Sequence, residues 1–206
     1  MLRARYAGDI VTSRPPLAGL VLAAGAGARF GGPKALARRA DGTPWLAIAV
    51  DLLRGGGCDP VLVALGAGAD EAAPLVPPDA VVVLVEDWAR GLSATLRAGL
   101  GAVRVDAVVV MPVDTPDADP RAVRRIIAGA REEPRTALVQ ATYGGAPGHP
   151  ALIGRDHFPA LISGLTEDRG AGAYLARHGA ATVECGDLWS GADIDVRPRG
   201  EDSGTR

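Results

Sequence analysis

Aromatic side chains make up only 4% of this 206-residue chain, so its core must be built from Ala, Val and Leu rather than from rings. Cysteine is nearly absent too. Cys58 and Cys185 stand far apart and show no metal-ligand spacing, which excludes a disulfide scaffold and a CxxC-type zinc module. They read as two small buried hydrophobes in a reducing compartment. No apolar run approaches the roughly 20 residues a membrane span needs. The opening residues carry arginines but no apolar h-region, so no secretory signal is expected. A basic excess is also missing: a net charge of −2 argues against nonspecific nucleic-acid binding. What remains is a cytoplasmic globular protein with neither a membrane nor a nucleic-acid partner.

At this length the prior is about one domain, and such a domain buries roughly 70% of its unfolded surface without a staple. Residues 1–16 read as a flexible leader, 17–196 as a single domain and 197–206 as a flexible polar tail. The stretch that organises the domain is Leu17 to Lys34. Its apolar run, about Leu17 to Ala24, has strand length and passes directly into a loop with four glycines, Arg29 and Lys34. Glycines let a backbone turn tightly and expose its N–H groups to a ligand. Arg29 and Lys34 can neutralise a polyphosphate held there.

Two common phosphate loops do not fit. A Walker A loop needs Gly-Lys-Ser/Thr, whereas Lys34 follows Pro33 and precedes Ala35. A dinucleotide fingerprint from Gly25 finds its third glycine one residue late, at Gly31. The next strand ends Ala64-Leu65-Gly66, without an acid for a ribose.

Further along, Thr43-Pro44 reads as an N-cap and first turn of a helix from Trp45 to about Arg54, stopped by Gly55-Gly56-Gly57. Pro60–Leu65 and the fully apolar Ala80–Val85 are strands, with a short helical stretch over Asp70–Leu75. Leu92, Leu96, Leu100 and Val103 mark a helix over Gly91–Val103. Asp106–Val113 is the most hydrophobic strand, and Asp119-Pro120 starts a helix to about Arg131. Thr136–Thr142 is a strand, Tyr143–His149 a glycine loop and Pro150–Ile153 a short strand. Helical stretches near His157–Ile162 and Gly172–His178 and a strand over Ala181–Glu184 follow. This alternation predicts a three-layer α/β/α fold with a mainly parallel sheet.

Three features fall at strand ends, where open α/β sheets gather ligands. The opening loop is one. Asp114 is another, either a turn residue in Asp-Thr-Pro or a ligand for a divalent cation. The third is Gly144-Gly145-Ala146-Pro147-Gly148-His149-Pro150, where His149 is a turn residue or a donor to a substrate.

Leu22-Ala23-Ala24-Gly25 followed by Arg29, Phe30, Gly31 and Lys34 resembles the signature loop of MobA-like nucleotidyltransferases, closest to molybdenum cofactor cytidylyltransferases. Four further stretches resemble that family's motifs in order. They are Asp87–Leu96, Asp114-Thr115-Pro116, Gly144–Pro150 and Ala192–Val196; Glu167–Ala171 is similar to a fifth, with Glu167 where glycine is usual. The resemblance implies a nucleoside triphosphate held by Ala23, Ala24, Gly25, Gly27, Arg29 and Lys34, with Gly91 and Ser93 on the base side. Ser93 alone also reads as a helix cap. Arg29, Lys34 and Asp114 would carry the chemistry, and Asp114 with Asp195 would hold Mg2+ or Mn2+. Gly148 and His149 would line an acceptor pocket.

The family activity is transfer of a nucleoside monophosphate to a phosphorylated acceptor with release of pyrophosphate. The Ala-Ala-Gly loop goes with CTP over GTP, which Ala24 matches. Molybdopterin would be the family's acceptor, with a sugar phosphate, a phospholactate or another small phosphorylated molecule left open beside it, and a molybdoenzyme or its chaperone is the partner implied. Two alternatives stay open: an NAD(P)H- or flavin-dependent oxidoreductase on the same fold, and a non-catalytic nucleotide- or cofactor-binding module for a molybdoenzyme.

Overall fold

A computed structural model describes residues 16–130 and 133–196. The leader before Pro16, the tail from residue 197 and the expected helix end at Arg131 lie outside the described residues. The strands are β1 (Ala18–Ala23), β2 (Val61–Leu65), β3 (Val81–Leu84), β4 (Ala107–Pro112), β5 (Leu138–Tyr143), β6 (Ala146–Gly154) and β7 (Ala181–Glu184). The helices are α1 (Trp45–Gly55), α2 (Ala69–Ala72), α3 (Leu92–Ala102), α4 (Pro120–Gly129), α5 (Phe158–Gly164) and α6 (Gly172–Arg177).

The strands form one seven-stranded sheet in the order β3-β2-β1-β4-β6-β5-β7. β1 pairs in parallel with β2 and β4, and β2 with β3. β6 is antiparallel to both neighbours, while β5 and β7 are parallel to each other. The mainly parallel α/β sheet is thus as expected, with one reversed strand. Period-2 alternation divides the buried side chains between two layers. Val21, Val63, Leu65, Val109 and Met111 pack with α1 and α4 on one face. Leu20, Leu62, Ala64, Val108 and Val110 pack with α3, α5 and α6 on the other. Cys58 and Cys185 are free and buried, as two small hydrophobes should be.

Three local expectations need correction, and one expected strand takes an edge position. Thr43 does not cap α1: Arg39 N–H donates to its carbonyl, and its own N–H donates to Asp41 Oδ1, so a small hairpin consumes it. Pro44 stands at the cap position with no side-chain bond. The apolar β3 is an edge strand, with Leu84 64% exposed and Val81 and Val82 open as well. Tyr143–His149 is not a loop. The chain turns at Gly144-Gly145 and returns as β6, whose first residues pair with β5 through Tyr143–Ala146 and Thr142–Pro147. Ser93, finally, is inside α3 rather than at its cap, because Gly91 takes the cap position. By contrast Asp119 caps α4 as expected, accepting from Arg121 N–H.

Among the described residues, no helix is long and apolar enough to cross a membrane.

Candidate active site

β1 crosses over to β2 on one side, and β4 lies against its other side, so strand order reverses between β1 and β4. Ligands in open α/β sheets bind at that crevice, outside the carboxyl ends of the strands. A cavity of about 670 Å3 opens there, within the range of small-molecule sites. Its walls come from the ends of β1 and β4, the start of α3 and the first residues of β6.

The loop after β1 owes its shape to Gly27. Its φ of +61° lies in the left-handed region, and a Cβ there would sit 2.0 Å from the Gly32 carbonyl oxygen. The Gly27 carbonyl gathers the N–H groups of Phe30, Gly31 and Gly32 at 2.9, 3.0 and 3.2 Å. No hydrogen bond among the described residues takes up the N–H groups of Gly25, Ala26, Gly27, Ala28 or Arg29. Gly25, Ala26 and Gly27 line the cavity, so this run of amides is open to an anion.

Four charged side chains meet beside it. Lys34 Nζ donates to Asp114 Oδ2 at 2.7 Å and to Asp195 Oδ1 at 3.2 Å. Arg29 Nη1 lies 3.1 Å from Asp195 Oδ2. Lys34 and Asp114 are 16% and 15% exposed, Asp195 43%, so the pair at the bottom is shielded and its outer partner is wet. Burial works against the Lys34 ammonium, but the bonds and charges of Asp114 and Asp195 outweigh it and raise its pKa.

Asp114 ends the buried β4 run, and its threonine neighbour explains itself. Thr115 is buried and its Oγ1 donates to the Pro112 carbonyl at 2.9 Å, closing the turn that presents the carboxylate. Asp114 Oδ1 is buried with no hydrogen-bond partner, an orphan that costs free energy unless something binds it. Asp114, Asp193 and Asp195 each offer a ligand atom within 4.8 Å of one another. Oxygen donors, a shared negative charge and an orphaned buried oxygen fit a hard divalent cation. Asp193, which lines the cavity, joins Asp195 in this cluster.

Besides the Asp195 ion pairs, the segment that carries both aspartates is held by a backbone bond and by packing on Tyr143. Ile194 N–H donates to the Asp114 carbonyl at 2.9 Å. Gly191 lies on the Tyr143 ring, where a Cβ would sit 2.4 Å away. Trp189 meets the same ring edge-on at 5.3 Å between centroids. Tyr143 Oη donates to the His149 carbonyl at 2.6 Å, so one side chain supports both the acidic segment and the start of β6. Nothing in the sequence around Tyr143 marks this role, because its ring partners Trp189 and Gly191 lie far along the chain, in the segment after β7. His149 lines the cavity with Pro147 and Gly148. Burial pushes its pKa below the ordinary imidazole value, against the pull of Asp114 and Asp193.

At the other end, Trp88, Ala89, Gly91, Leu92, Thr95 and Asp168 line the cavity. Ser93 is buried and is not among the lining residues; its N–H donates to the Glu167 carbonyl at 3.0 Å. Thr95, two positions further along α3, lines this wall instead. Gly91 has φ +94°, and a Cβ there would lie 2.2 Å from Asp168 Oδ1. Glu167, standing where the family pattern has glycine, has φ +47° and so keeps a glycine-like backbone.

The geometry thus joins a phosphate-sized nest of amides, two cations, a carboxylate cluster and a histidine around one cavity. A curated relative, nicotine blue oxidoreductase of Paenarthrobacter nicotinovorans, is 29% identical over 194 residues, covering 90% of this chain and 95% of that one. The solved structure of Rv0371c from Mycobacterium tuberculosis H37Rv is 27% identical with a TM-score of 0.73, covering 89% and 95%. Its manganese complex is 30% identical with a TM-score of 0.67, covering 82% and 88%. Residues 19–182 match the MobA-like NTP transferase domain, and the chain belongs to that family.

Proposed function

We propose that the protein is a divalent-metal-dependent nucleotidyltransferase that moves CMP from CTP onto a phosphorylated acceptor, with molybdopterin as the acceptor, and releases pyrophosphate. The observation that carries this reading is the cation pair Arg29 and Lys34 beside the open amides of Gly25–Arg29, facing the orphaned Asp114 carboxylate.

In the reaction an oxygen of the acceptor's terminal phosphate attacks the α-phosphorus of CTP. The new P–O bond forms as the bond from that phosphorus to the bridging oxygen breaks, and pyrophosphate leaves with the electron pair. The loop amides, Arg29 and Lys34 bind the phosphates and spread the charge that builds on them. Ala23, Ala24 and Gly25 form the loop's start, and Ala24 favours CTP. Gly91, Leu92 and Thr95 leave room for the base. A bound Mg2+ or Mn2+, held by Asp114 with Asp193 or Asp195, would neutralise phosphate oxygens; a manganese complex is solved for a relative. His149, held neutral by burial, offers an N–H to the acceptor phosphate. No general base is required of it, because a phosphate is already anionic.

Pyrophosphate release should require CTP, Mg2+ and a phosphorylated acceptor together. The name of the nicotine blue relative supports a second reading, an oxidoreductase. Tight NADPH binding, or a flavin spectrum in purified protein, with no thermal stabilisation by CTP would select that reading instead.

A further inference from the structure

The four-charge chain couples the ligands of this site to one another, an inference that rests on the nucleotide reading above. Asp195 presents one oxygen to Arg29 at 3.1 Å and the other to Lys34 at 3.2 Å. That two-oxygen bridge between the loop's two cations is what a phosphate group would make. We propose that Asp195 acts as an internal anion in the phosphate position, and that it makes tight nucleotide binding conditional on a divalent cation.

A triphosphate arriving alone must take Arg29 and Lys34 away from Asp195. The displaced carboxylate then stays beside Asp114 and Asp193, three carboxylates within 4.8 Å that have lost their ammonium partner. Like charges so close repel one another, and the repulsion falls hardest on Asp114, the shielded member of the three. The Ile194–Asp114 backbone bond at 2.9 Å holds the acidic segment to the end of β4, so Asp195 has little room to withdraw. A divalent cation arriving with the nucleotide removes the penalty, because the released carboxylates gain a partner of higher charge than the one they lost. Linkage is reciprocal: the cation tightens the nucleotide by the factor by which the nucleotide tightens the cation.

The test is calorimetric titration of CTP, with pyrophosphate as a base-free probe, into wild type and Asp195→Asn, each in EDTA and in MgCl2. Asp195 is a half-exposed loop residue, and Asn keeps its shape, so the variant should fold. In wild type, magnesium should strengthen CTP binding by about a hundredfold, a coupling of ordinary allosteric size. In Asp195→Asn, affinity in EDTA should rise by about tenfold for both probes, and the magnesium enhancement should shrink to about tenfold. A residue that merely ligates the metal would lower the magnesium enhancement and leave the EDTA affinity unmoved. An EDTA affinity that is unchanged or weaker in the variant therefore overturns the proposal while leaving the nucleotide reading intact. Wild type that binds CTP in neither buffer overturns both.

Discussion

The cavity has two walls made in different ways. The wall of β1, β4 and α3 stands on parallel strands buried on both faces, and its groups leave from the carboxyl ends of those strands. The wall of β5, β6 and the segment after β7 is held by a hairpin and by side-chain bonds through Tyr143 and Glu184. The first wall takes its geometry from the core, so a functional side chain there can be exchanged without moving its neighbours. The second takes its geometry from a few polar contacts, so losing one contact displaces several groups. On the proposed function, the first wall serves the nucleotide, while the second serves the acceptor through β6 and the metal through Asp193 and Asp195.

That division can be broken by substitution. Asp114→Ala should reduce pyrophosphate release by about a thousandfold or more, since it removes the metal carboxylate and leaves Lys34 without its 2.7 Å partner. Its melting temperature should fall little, because the orphaned Oδ1 goes with it. Full activity would sink the metal assignment. Lys34→Met should lower kcat/KM for CTP by about a hundredfold, as loss of one preorganised phosphate contact does.

Tyr143→Phe keeps the ring under Gly191 and removes only the bond to the His149 carbonyl. It should raise the KM for the acceptor by about two- to tenfold, the value of one hydrogen bond, with the CTP KM unmoved. Equal loss for both substrates would show that the walls are not separate. Glu184→Gln should have the smallest effect, because Gln keeps one oxygen to accept its hydrogen bonds, and it should show chiefly in stability with only a slight rise in the acceptor KM. The Glu184 carboxylate accepts from Gly144 N–H, Gly186 N–H, Thr142 Oγ1 and Gly145 N–H, and these bonds lower its pKa. Its contribution is therefore present above the ordinary value of 4.5 and lost as pH falls through the lower folded one. Thermal melts of wild type and variant should differ at pH 7 and converge in acid.

The same two walls explain what could be read from the sequence. β1, β2 and β4 announce themselves as apolar runs followed by glycine, acid or proline, because a strand covered on both faces has no polar alternation to disguise it. The loop residues and Asp114 were legible for that reason. β3 has the same composition yet lies at the edge, since strand order is not encoded in a run's own residues. The hairpin was illegible where it matters. Gly144 to Gly148 is rich in turn formers, and only pairing with β5 makes half of it a strand. Ser93 and Thr95 differ by two positions on a helix, which puts them on opposite faces, and only Thr95 lines the cavity. Asp193 and Asp195 alternate along an irregular segment, where no periodicity separates them.

β6 runs against its neighbours, and this reversal has a further consequence. Its opening residues, not its closing ones, reach the cavity, and they follow a turn of just Gly144 and Gly145. Lengthening that turn adds chain beside the mouth of the site at small entropic cost, without altering register in the parallel strands. Relatives that differ in acceptor can therefore diverge by insertion at this one bend, while the nucleotide half is inherited unchanged.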